Sequence, residues 1–174
     1  MRKSQFFKHI KELNINELQQ ELLSLYDKVP EVKKYYSMEL GDEKERTKLY
    51  VKAKKEIAAK YATKSYRKPR RPRIQKVNKI LSEMKKSSIF DHEMIDLYLY
   101  DVETALLFSI QYHFFSKVLS NHLQSIFKKA ILLIQGQQLQ DMFHERCQQI
   151  VARTSLVPEI HWEIKSIYNS GFEQ

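Results

Sequence analysis

Lys64, Arg67, Lys68, Arg70, Arg71, Arg73, Lys76 and Lys79 crowd into one stretch, KSYRKPRRPRIQKVNK, with no acid among them. Cations at that spacing repel one another, and an anionic partner or full solvation relieves the repulsion. Phosphate is the anion that planar guanidinium forks match well. Tyr66 within the stretch and Tyr61 just before it are of the type that stacks on unpaired bases. With Lys60, the window between Ile57 and Ser82 holds nine basic residues; the rest of the chain carries 21 basic and 21 acidic ones, so the whole formal excess of +9 is local.

One expectation is therefore a non-enzymatic protein that binds nucleic acid or another polyanion through Lys64 to Lys79, by phosphate contacts with little base specificity. The other is a protein-interaction adaptor. Pro69 and Pro72 stop a helix and stiffen a linker, so the same segment would serve as a hinge or dock on an acidic protein partner. The arginines could also brace Asp91, Glu93, Asp96, Asp101 and Glu103 of a following segment. Pairing of Arg67, Arg70, Arg71 and Arg73 with Asp96 and Asp101 would speak for bracing; a common outward surface would speak for a polyanion.

Other constellations carry less chemistry. His92 and Asp96 stand one helical turn apart, as metal ligands or an acid–base pair would, but no third ligand is evident, and an acid-rich first turn fits a solvated face. His113, His122, His144 and His161 occur singly and read as structural. Tyr98 and Tyr100 beside Asp101 suit a polar network in a helical core, or a protein interface if exposed. There is no Gly-rich phosphate loop, nucleophile elbow or Cys/His cluster. No catalytic residue, metal ligand or cofactor is expected.

The elements that must position these residues read as helices. Ile15, Leu18, Leu22, Leu25 and Val29 recur at steps of three and four. Asn14 with Glu17 forms a capping-box start, with Leu13 and Leu18 as its staple. A short helix over about Ser4 to Leu13 precedes it. Pro30 suits the first turn of the next helix, Gly41 its stop, and Asp42 with Glu45 a further start. Leu49, Ala53, Ile57 and Tyr61 share a face before the basic stretch; Ile74, Val77, Leu81 and Met84 share one after it. Asp91 is expected to cap a longer helix that breaks near QYHFF, and Gly136 to stop the next. The last two elements are QLQDMFHERCQQIV and a tail after Pro158 with Ile160, Ile164 and Ile167. Three glycines and four prolines are too few to punctuate an all-β chain. The expectation is an all-α antiparallel multi-helix bundle of roughly seven to nine helices.

Three segments, ELLSLYDKVPEVKKYYSMEL, RKPRRPRIQKVNKIL and DLYLYDVETALLFS, occur in an order that resembles an uncharacterised family of small bacterial all-helical proteins, a domain of unknown function. The resemblance spans Leu13 to Ile150, and Arg67 to Arg73 match the family's Arg/Lys-Pro-rich element between helices. The connection before FKKA is shorter here. The resemblance implies a helical fold and no activity.

A chain of 174 residues fits a single domain. Two sub-bundles, 1–66 and 73–174 joined by residues 64–73, form the alternative. The lone Cys147 suits a reducing compartment. MRKSQFFKHIKEL lacks the apolar run of a signal peptide, and ALLF and AILLI are far too short to span a bilayer. A cytoplasmic protein without membrane contact is expected; its oligomeric state is not legible.

Overall fold

The periodicity becomes helices throughout the computed structural model, which describes residues 2–40, 43–86 and 90–172. The described residues form nine helices and no strand: α1 (Lys3–Glu12), α2 (Ile15–Lys28), α3 (Pro30–Glu39), α4 (Glu43–Tyr61), α5 (Ile74–Lys86), α6 (Asp91–Tyr112), α7 (Lys117–Gly136), α8 (Gln140–Thr154) and α9 (Pro158–Phe172). The expected all-α class and helix number hold.

Local chemistry sets most of the boundaries. At the start of α2 the Glu17 amide donates to Asn14 Oδ1 at 3.0 Å and the Asn14 amide donates to Glu17 Oε2 at 2.8 Å, closing the capping box. Pro30 opens α3, where its missing N–H costs no helical hydrogen bond. Gly41 and Asp42 lie outside the described residues, and so does the cap expected from Asp42 and Glu45. Asp91 corrects its expected role: extended Phe90 takes the capping position without a side-chain cap, and Asp91 is the first helical residue. There its carboxylate still meets the positive end of the helix dipole. The break in QYHFF falls at His113, whose left-handed backbone (φ 47°) stops α6 without a glycine.

The core is one cluster that joins α4 to α5–α9 across the basic segment. The central helices α6 and α7 supply much of it, including Leu97, Leu99, Leu106, Leu123, Phe127 and Ile131. Of the expected faces, Ala53, Ile57 and Tyr61 of α4 and Val77, Leu81 and Met84 of α5 are buried, Leu49 and Ile74 are partly buried, and Ile80 joins the buried residues. Helix α9 closes on α7 where a glycine is required: a Cβ on Gly171 would stand 2.3 Å from Ile131 Cγ2. By contrast, no described side chain of α1–α3 is buried.

Candidate polyanion-binding site

Residues 62–73 connect α4 to α5 as a loop with its own internal bonds. The Arg73 amide donates to the Lys60 carbonyl at 3.2 Å, fastening the two ends together. Inside, Thr63 Oγ1 accepts from the Arg70 amide at 3.1 Å and the Ser65 amide at 3.4 Å, while the Lys68 amide donates to Ser65 Oγ at 3.3 Å. Serine and threonine hydroxyls serve here as local substitutes for a backbone ladder.

Aromatic rings support the loop from below. The exposed Tyr66 ring leans on Tyr112 at 5.5 Å, Tyr112 on Phe108 at 5.0 Å, and Phe108 on Phe114 at 5.5 Å. Phe108 also meets buried Tyr61 at 6.3 Å. The connection is thus pinned to the core at its ends and through Tyr66.

On this support Lys64, Arg67, Lys68, Arg70 and Arg71 are all exposed. Arg73 is half-buried at the junction, and its carbonyl accepts from the Lys76 and Val77 amides to start α5. Lys76 and Lys79 continue along the exposed face of α5, where Lys79 lies 3.9 Å from Glu83. The first turn of α5 contains no acid, and neither does that of α7, which begins Lys117–Val118–Leu119. Those two helix starts converge: Arg71, Pro72 and Ile74 line a crevice of about 350 Å³ with Phe115, Val118 and Leu119. Helix N-termini carry partial positive charge. Adding cations there, without an acid in either first turn, leaves an electropositive corner that an anion would stabilise.

Four of the five acids expected as bracing partners, Glu93, Asp96, Asp101 and Glu103, are engaged elsewhere. Lys54 Nζ of α4 stands 2.7 Å from Asp96 Oδ2, an ion contact rather than a directed hydrogen bond. Arg146 of α8 reaches Asp96 and grips both oxygens of Glu103, with Nε and Nη2 at 2.8 Å. Burial opposes the Arg146 charge, yet its bonds to Glu103 and Asp96 outweigh that and hold it firmly protonated. Burial raises the Asp96 pKa against the pull of Arg146, and burial lowers that of Lys54, with repulsion from Arg146 adding to the effect. Arg46 of α4 stands 3.7 Å from Glu93 and lies over the Phe90 ring. No described hydrogen bond or ion pair links Arg67, Arg70, Arg71 or Arg73 to an acid.

The His92–Asp96 pair does not assemble either. His92 is exposed and stacks on Phe90, while Asp96 is occupied as above. Among the described residues no group of three or more His, Cys, Asp or Glu is placed to hold a metal.

One polar cluster assembles around Asp101 with partners that the sequence did not indicate. Fully buried Asp101 accepts from the Tyr61 hydroxyl at 2.6 Å on Oδ1 and lies 2.7 Å from His122 Nε2 on Oδ2. Burial and the neighbouring Asp101 carboxylate push the Tyr61 phenol far up, so it remains a donor. The expected partners Tyr98 and Tyr100 play no part in the bonds described for Asp101, which reaches to α4 and α7 instead. A legible signal did exist: Asp101 shares a helical face with Leu97, Tyr98, Val102 and Ala105, where a carboxylate needs partners.

The family model described as a family of unknown function, DUF6155, matches residues 1–174. The chain belongs to this family. No curated protein and no solved structure matches it. Among the described residues of this family member, no helix is long and apolar enough to cross a membrane.

Proposed function

We propose that this protein binds nucleic acid, single-stranded in preference to duplex, through the loop 62–73 and the adjoining start of α5. The observation that carries the reading is a run of exposed cations on a loop whose ends are tied together, with Arg71 lining the crevice between two acid-free helix N-termini. Lys64, Arg67, Lys68, Arg70, Arg71, Arg73, Lys76 and Lys79 contact phosphates in this reading, Lys79 exchanging its partner Glu83 for one. Exposed Tyr66 and Phe115 offer rings to unpaired bases. Stacking on such rings is worth about 1–3 kcal/mol per base and tolerates any sequence, which fits low base specificity. The chain acts as a cytoplasmic binding module without catalytic groups.

Fluorescence anisotropy with labelled single- and double-stranded RNA and DNA tests this at several salt concentrations. The expected affinity falls with salt by roughly 0.7 log unit per phosphate neutralised on a single strand. A variant with Arg67, Arg70, Arg71 and Arg73 changed to Ser, with an unaltered circular dichroism spectrum, loses binding. Absence of binding to every strand at low salt overturns the proposal.

A second reading rests on a different observation. Phe6, Phe7, Ile15, Leu22, Leu23 and Leu40 in the N-terminal helical region are exposed, as on the surface of an adaptor for a protein partner. Capture by such a partner would be far less sensitive to salt than strand binding.

A further inference from the structure

Helices α5 and α7 both rest on α6 and leave a groove of about 830 Å³ between them. That size suits a small organic molecule. Its walls are mixed. Leu81 and Ile126 supply apolar surface, and Asn78, Ser82, Asn121 and Ser125 supply amides and hydroxyls. Two of its lining residues, Lys85 and Lys129, are cationic, and none is Asp or Glu.

One member of the polar core cluster reaches this groove. His122 is 6% exposed and lines it. Asp101 accepts from the Tyr61 hydroxyl on one oxygen, and its second oxygen lies 2.7 Å from His122 Nε2. A carboxylate in this position favours a proton on Nε2, as it does for metal-ligating and catalytic histidines. Nδ1 is left without a partner among the described residues. His122 itself lines the groove, which puts its ring within reach of an occupant.

Ile74 and Val118 line both this groove and the crevice beneath Arg71, so the two helices start at the same end. Lys85 and Lys129 each follow eleven residues later. At 1.5 Å per residue that is about 16 Å along each helix. The two ammonium groups therefore belong to the far end of the groove, away from the basic loop.

We propose that the α5–α7 groove is a binding site for a phosphomonoester with an apolar body. Two ammonium groups match the charge of a phosphate dianion, and nearby hydroxyl and amide donors supply further contacts to its oxygens. The body lies on Leu81 and Ile126, and a polar atom of it meets His122 Nδ1. This site is separate from the basic loop and does not depend on nucleic-acid binding there.

The test follows the His122 ring nitrogens by long-range ¹H–¹⁵N NMR while the full chain is titrated with 1-naphthyl phosphate, 1-naphthoate or inorganic phosphate. The first is expected to shift His122 Nδ1 and saturate below about 1 mM. Inorganic phosphate, without a body, binds at least tenfold more weakly, and so does the monoanionic naphthoate. A doubly charge-reversed variant, Lys85→Glu with Lys129→Glu, carries both changes on exposed positions; it keeps its Tm and loses at least tenfold in affinity. The loop variant with four arginines changed to Ser keeps the titration unchanged. An unmoved His122 resonance, equal binding of naphthoate, or full affinity in the charge-reversed variant would each overturn the assignment.

Discussion

Helices α2 and α7 obey the same spacing rule and finish in opposite environments. Both place apolar residues at steps of three and four, and both begin at a capping side chain, Asn14 or Ser116. Yet α7 buries nine residues and α2 none. Ile15 is 74% exposed and Leu23 64%, whereas Leu123 and Ile126 are each 2% exposed. Periodicity makes a helix amphipathic; burial requires a second surface to lie against it. Helix α7 has α6 and α9 as that surface. The region α1–α3 is a helical arm joined to a packed body.

The comparison can be broken or sharpened at several places. The largest effect is expected in the body at Asp101→Ala, which strands buried His122 and the Tyr61 hydroxyl; removing one partner of a buried polar pair costs about 3–5 kcal/mol. Urea denaturation that shifts by less than about 1 kcal/mol would show that these groups find water instead. Gly171→Ala comes next. Its new methyl collides with Ile131, and overpacking of this kind costs about 1–3 kcal/mol. An unchanged Tm would mean that α9 slides freely on α7.

Alkaline titration probes the body through Cys147. Burial pushes its pKa up to about 12, while an unfolded thiol titrates near about 8.5. Above the lower value the unfolded chain releases a proton that the folded chain keeps. Stability then falls as pH rises, by up to about 1.4 kcal/mol per pH unit. In Cys147→Ala that slope is absent between about pH 8.5 and 10, and a persisting slope in the variant would assign it to other groups. The smallest effect belongs to the arm: Leu23→Ser should change stability by less than about 0.5 kcal/mol. A loss as large as that at Gly171 would show that something covers the arm in solution and would remove the contrast.

These two regions were not equally legible. Local rules suffice where neighbours in sequence decide the outcome. The Asn14–Glu17 box, Pro30 at the start of α3, and the buried faces of α4 and α5 followed from residues at most a few turns apart. Nothing comparable marks the exposure of α2, because exposure depends on which helices the chain brings near. The candidate site divides in the same way. Its cations were evident as composition, and their exposure was a matter of which partners the acids of α6 would choose. Asp96 and Glu103 chose Arg146, which lies some fifty residues from Asp96. Asp101 met Tyr61 and His122, at separations of 40 and 21 residues. His113 ended α6 by adopting a conformation usually left to glycine, so the break had no residue-type signature.

Thr63 gives the basic loop a property that its arginines do not. One hydroxyl oxygen gathers the amides of Ser65 and Arg70, so the spacing of the cations hangs on an uncharged atom. Geometry and charge at this surface are therefore separate variables. Thr63→Val would redistribute the same positive charge in space, and Arg70→Lys would keep the layout while changing the shape of the head group. A partner that senses only electrostatic potential would respond weakly to either exchange; one that measures distances between cations would register the first.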